Sequence, residues 1–67
     1  MYFILFRNKD NNLWYWNLHT QHHHPIANGA DGHISEEDAR NNLQLVRRHA
    51  PFCRIYNKEI EDWEKQL

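Results

Sequence analysis

The side chains best suited to chemistry in this sequence are its histidines. Four of the six lie in the stretch HTQHHHP, as His19, His22, His23 and His24, directly before Pro25. Imidazole is the commonest transition-metal ligand and titrates closest to neutrality, so the stretch could hold a metal ion or become cationic in mild acid. His22 and His24 would share a face if the run stayed extended, which makes them the metal candidates, with His19 and His33 as further donors. A site needs three or four ligands converging, and a loop that runs into a proline does not provide convergence by itself. The expected reading is a solvated turn, with metal binding through the His-rich loop ranked third among the functions considered.

No other set of residues makes a catalytic group. Cys53 is followed by Arg54 in an extended segment and reads as a small buried hydrophobe. Ser35 reads as a helix cap, and Glu36, Glu37 and Asp38 splay around a helix instead of forming an acid–base pair. No phosphate-cradling glycine loop occurs. The chain therefore reads as a non-enzyme, with no catalytic residues and no cofactor. Arg40, Arg47, Arg48 and Arg54, with Trp14, Tyr15 and Trp16 for stacking, could bind a single nucleic-acid strand. The carboxylates beside them dilute the field and the formal net charge is −1, so nucleic-acid binding is the second reading.

These residues must be positioned by few elements. YFILFR and LWYWNLH are rich in aromatic and β-branched residues and are separated by the turn formers NKDNN, which predicts an antiparallel hairpin of Tyr2 to Arg7 with Leu13 to His19. PIAN predicts a third strand, and GADGH carries two glycines suited to a bend with positive φ. Ser35 caps a helix whose acidic first turn (Glu36, Glu37, Asp38) and basic last turn (Arg47, Arg48, His49) both suit the helix dipole. Ala39, Leu43, Val46 and Ala50 make its apolar stripe, and Pro51 ends it. FCRIY reads as a short extended piece. Asn57 is expected to cap a last amphipathic helical turn on which Ile60, Trp63 and Leu67 share a face.

The predicted fold class is α+β: a three-stranded antiparallel sheet in the order β-β-β-α, one helix on one of its faces, and a short C-terminal extension. Residues 1–56 form a single module and 57–67 an amphipathic tail. Sixty-seven residues leave a thin core, and the one cysteine, Cys53, allows no internal disulfide. With no run apolar enough for a signal peptide or membrane span, the expected setting is cytoplasmic and without membrane.

Alternation along the hairpin puts Phe3, Leu5, Trp14, Trp16 and Leu18 on one face and Tyr2, Ile4, Phe6, Leu13 and Tyr15 on the other. One helix covers only one face. The second could be covered by the chain's own tail, by a second copy or by a different protein. A homodimer is the favoured expectation, with Tyr2, Ile4, Phe6, Leu13 and Tyr15 as the partner interface. The function expected is that of a small protein-interaction module, in a binding or inhibitor role.

The run YFILFRNKDNNLWYWNL, the isoleucine strand, the glycine-containing bend and SEEDARNNLQLVRRHAP together resemble the YegP-like domain of unknown function. The matching positions are Trp14, Trp16, Leu18, Ile26, Ser35, Ala39, Asn42, Val46, Arg47, Ala50 and Pro51, and the likeness spans roughly residues 2 to 55. It implies a β-β-β-α module that occurs as tandem copies or as a single copy that dimerises. The Asn-Gly turn usual between the second and third strands is replaced by His22 and His23, and the aromatic usual before the helix by His33.

Overall fold

The computed structural model describes residues 1–65. The elements are β1 (Tyr2–Arg7), β2 (Trp14–His19), β3 (Pro25–Asn28), α1 (Glu36–His49), a 3-10 turn (Ala50–Phe52), β4 (Tyr56–Asn57) and β5 (Asp62–Trp63). The first three strands form an antiparallel sheet in the order β1-β2-β3, with α1 packed across β1 and β2, so the fold is α+β as the sequence predicts.

Turn chemistry sets the register. Asn8 Oδ1 accepts from the N–H of Asp10 and Asn11 Oδ1 from that of Leu13, while Asn12 takes the left-handed conformation at φ 62°. Asn tolerates that region because its short polar side chain bonds locally. The turn pairs Phe3 with Leu18, Leu5 with Trp16 and Arg7 with Trp14 on the helix face. Tyr2 with His19, Ile4 with Asn17 and Phe6 with Tyr15 make the other face.

The core lies under α1 and is small. Trp16, 4% exposed, Ala39 and Leu43 are its buried members. The ring of Phe3 meets Trp16 edge-on at 5.6 Å, and the indole N–H donates to Asn42 Oδ1 at 2.7 Å. A buried tryptophan needs such a partner because its N–H would otherwise lose water for nothing. Ser35 caps α1 by accepting from the Asp38 N–H. Burial of the predicted stripe fades toward the C-terminal end: Val46 is half-buried and Ala50 exposed. Pro51, lacking an N–H, converts the helix into the 3-10 turn.

Three expectations are corrected. Neither glycine has positive φ. Both are needed for close approach instead: a Cβ at Gly29 would lie 2.7 Å from Trp16 Nε1, and one at Gly32 would lie 2.7 Å from Tyr15 Cζ and 2.8 Å from Leu13 Cδ1. Cys53 is exposed, not buried, with its thiol donating to the His49 carbonyl. The third correction concerns the tail, which is a β-hairpin instead of a helical turn. Asn57 Oδ1 accepts from the N–H of Glu59, Glu61 takes φ 51°, and the chain reverses so that Tyr56 pairs with Trp63. The side-chain acceptor that would have capped a helix closes a turn. Tyr56 packs edge-on to Trp63 at 5.2 Å and the Arg54 guanidinium lies 4.3 Å over the Trp63 ring. Leu67 falls outside the described residues, and the expected division at residue 56 falls inside β4.

Among the described residues, the β4–β5 hairpin packs on neither the sheet nor α1. The radius of gyration is accordingly 14.5 Å, against roughly 11 Å for a compact chain of this length.

Two outcomes follow. Gly29→Ala should destabilise the fold by about 1–3 kcal/mol, read as a lower urea midpoint, because the added methyl overpacks against the indole. Truncation after Phe52 should leave the denaturation midpoint of the sheet and helix within ~1 kcal/mol of the full chain, since the hairpin lends them no packing; a larger loss would show that it does.

Candidate interaction surface

The alternation of β1 and β2 places Tyr2, Ile4, Phe6, Leu13 and Tyr15 on the face away from α1, as expected, but the apolar character is not uniform across it. Asn17 and His19 of β2 and Asn28 of β3 share that face. Its apolar part is therefore a strip along β1, extended at one end by Tyr15 and Leu13. Phe6 stacks on Tyr15 with ring centroids 5.8 Å apart and planes 22° from parallel. Tyr15 is held at its hydroxyl by Asn11 Nδ2 at 2.8 Å and has Gly32 against its ring. Leu13 and Tyr15 are thus partly covered by their own chain, while Tyr2 is 36% exposed and Ile4 and Phe6 are half-buried.

The histidine run closes the strip at its other end. Thr20 organises the turn: its N–H donates to the His24 carbonyl at 2.8 Å, its carbonyl accepts from the His23 N–H at 3.0 Å, and Oγ1 accepts from the N–H groups of His22 and His24. The run does not stay extended, because His23 adopts φ 68° and reverses the chain. The left-handed conformation that an Asn-Gly turn would give to glycine is here carried by a histidine. From that position His23 Nδ1 hydrogen-bonds the Tyr2 hydroxyl, and the Tyr2 ring lies 5.6 Å from that of His19. Both ring nitrogens of His19 are buried without a hydrogen-bond partner among the described residues.

The metal candidates His22 and His24 both lie in this turn and are exposed. Among the described residues, no three His, Cys, Asp or Glu side chains are placed to share a metal ion. The nucleic-acid set is dispersed as well: Trp16 is buried, Arg40 pairs with Glu36 at 2.7 Å, and Arg54 is stacked on Trp63. No helix among the described residues is long and apolar enough to cross a membrane.

A second apolar region surrounds the terminal hairpin; the sequence pointed to its Ile60 and Trp63 as an apolar tail face, but not to the hairpin that carries them. Phe52, Ile55, Tyr56, Ile60 and Trp63 are all exposed around the terminal hairpin. The Tyr-Asn and Asp-Trp pairs bracketing a polar turn were its signal.

Comparison with protein-family models, with curated proteins and with solved structures finds no match to this chain.

Zinc gives a direct check on the histidine turn. One equivalent added to chelator-treated protein should leave the melting temperature unchanged, whereas a specific site would raise it by mass action.

Proposed function

We propose that this protein is a small non-enzymatic interaction module that acts by binding polypeptide and associates with itself as a homodimer. The observation that carries this reading is exposed area. The chain exposes 5959 Å², whereas a compact monomer of its mass exposes roughly 4,600 Å². The excess, roughly 1,400 Å², goes with a terminal hairpin that stands off the sheet and helix, and it leaves Phe52, Ile55, Tyr56, Ile60 and Trp63 open to a partner.

The exposed residues are of the right kind. Tyr2 on the sheet and Tyr56 and Trp63 on the terminal hairpin are each more than a third exposed, and aromatic side chains are the type enriched where proteins bind one another. Two groups considered for catalysis have structural tasks, Ser35 as a helix cap and Cys53 as a donor to a main-chain carbonyl. An exposed, unpaired thiol suits a reducing, cytoplasmic setting. We also propose kinship with the YegP-like domains, on the motif positions quoted above; the β-β-β-α order is the one that kinship would require.

Sedimentation velocity from 1 to 200 µM tests the reading. The weight-average sedimentation coefficient should rise with concentration toward that of a dimer. A chain that stays monomeric throughout would overturn self-association.

A further inference from the structure

We propose that the outer edge of β1 is where two copies join: β1 of one chain pairs antiparallel with β1 of the other about a two-fold axis at Ile4, making one continuous six-stranded sheet. This rests on the self-association proposed above and names the surface responsible.

The hydrogen-bond phase of β1 is the first argument. Asn8 donates its N–H to the Leu13 carbonyl at 2.9 Å, so these opposed residues form a hydrogen-bonded pair. Antiparallel pairs alternate, so Phe6, Ile4 and Tyr2 turn their N–H and C=O groups toward β2. The other side of β2 confirms the phase: Trp16 accepts from Gly29 and Trp14 exchanges two bonds with His33, which leaves Tyr15, Asn17 and His19 for β1. Phe3, Leu5 and Arg7 therefore direct their main-chain groups off the sheet. No main-chain or side-chain hydrogen bond from the described residues reaches those groups.

The two edges of the sheet differ in how they are guarded. β3 has four residues, begins with Pro25 and carries an extra residue, Ile26, where its register against β2 shifts; these are devices that blunt an edge. β1 has six residues in regular register, no proline and no charge before Arg7. A long apolar edge with unpaired main-chain groups is a template for another strand.

The edge also matches itself. A two-fold axis keeps both helices on one side of the joined sheet. Centred on Ile4, it sets Tyr2 opposite the partner's Phe6, Phe3 opposite the partner's Leu5, and the two Ile4 side chains opposite each other. Aromatic and aliphatic pairs of this kind stabilise sheets. Phe3 and Leu5 then exchange about four main-chain hydrogen bonds with the partner's Leu5 and Phe3. Centring on Leu5 would instead set Arg7 opposite Phe3 and Asn8 opposite Tyr2, so that two of these apolar pairs would become apolar–polar ones. The apolar strip of Tyr2, Ile4 and Phe6 would double in width across the axis.

Residue-resolved amide exchange tests this in the unmodified protein. Between concentrations where sedimentation shows monomer and those where it shows dimer, the Phe3 and Leu5 amides should slow at least ~10-fold, joining Tyr2, Ile4 and Phe6 among the protected amides. A dimer in which Phe3 and Leu5 exchange as fast as in the monomer would overturn the edge while leaving self-association standing. A chemically synthesised full chain with N-methyl-leucine at position 5 keeps the side chain and blocks the edge. It should weaken dimerisation roughly 30-fold or more, with the circular dichroism of the monomer unchanged. Unchanged dimerisation of that chain would also overturn the edge, and a strict monomer would overturn the self-association reading itself.

Discussion

The seating of the Trp16 indole is the interaction on which this fold depends. It lies where the sheet, the helix and the segment leaving β3 meet, edge-on to Phe3, hydrogen-bonded to Asn42 and overlain by Gly29. Each contact constrains a different element. Asn42 fixes the rotation of α1 about its axis and so decides that Ala39 and Leu43 face inward. Gly29 fixes how closely the chain may pass after β3, and only a residue without a Cβ can pass there. One side chain thus fastens three segments far apart in sequence, which a core of three buried residues could not otherwise do.

A core so small has consequences at the surface. A helix is about 10 Å wide and strands lie about 4.8 Å apart, so one helix covers about two strands. Here those are β1 and β2. β3 is left exposed along its length, with Ile26 52% accessible, and the terminal hairpin gains nothing by folding under a helix that is already seated. Its Tyr56–Trp63 pair and the Arg54 cation above it are a local cluster, stabilised by their own contacts. The exposed apolar area of this chain is therefore a product of its element count, one helix for three strands.

The parts of the fold legible in the sequence were those decided within a few residues. The first hairpin, the third strand and the helix follow from alternation, Asn-rich turns and the Ser35 cap, and they sit within a residue or so of their predicted limits. What escaped was decided by partners distant along the chain. Nothing local distinguishes a glycine wanted for positive φ from Gly29 or Gly32, wanted because Trp16 and Tyr15 lie beneath them. Asn57 is ambiguous for a related reason: its side chain accepts a nearby N–H whether it opens a helix or a turn, and only the pairing of Tyr56 with Trp63 decides between them. At the candidate surface, alternation correctly grouped Tyr2, Ile4, Phe6, Leu13 and Tyr15. It also groups Asn17 and His19 with them, and their polarity was the available sign that the apolar strip belongs to β1 and not to the whole face.

The histidine run takes its meaning from that strip. A two-residue Asn-Gly turn would have joined β2 to β3 more simply, but glycine has no side chain to reach across β2. His23, in the same left-handed conformation, does reach across: its ring nitrogen meets the hydroxyl of Tyr2, the first residue of β1, while His19 flanks the same ring. The start of an edge strand is where fraying costs least, since it is paired on one side only. By tying Tyr2 to a turn on the far side of β2, the run holds the beginning of β1 in the sheet without covering its outer edge. Two of the four histidines, His19 and His23, thus meet the ring and hydroxyl of Tyr2 at the start of β1.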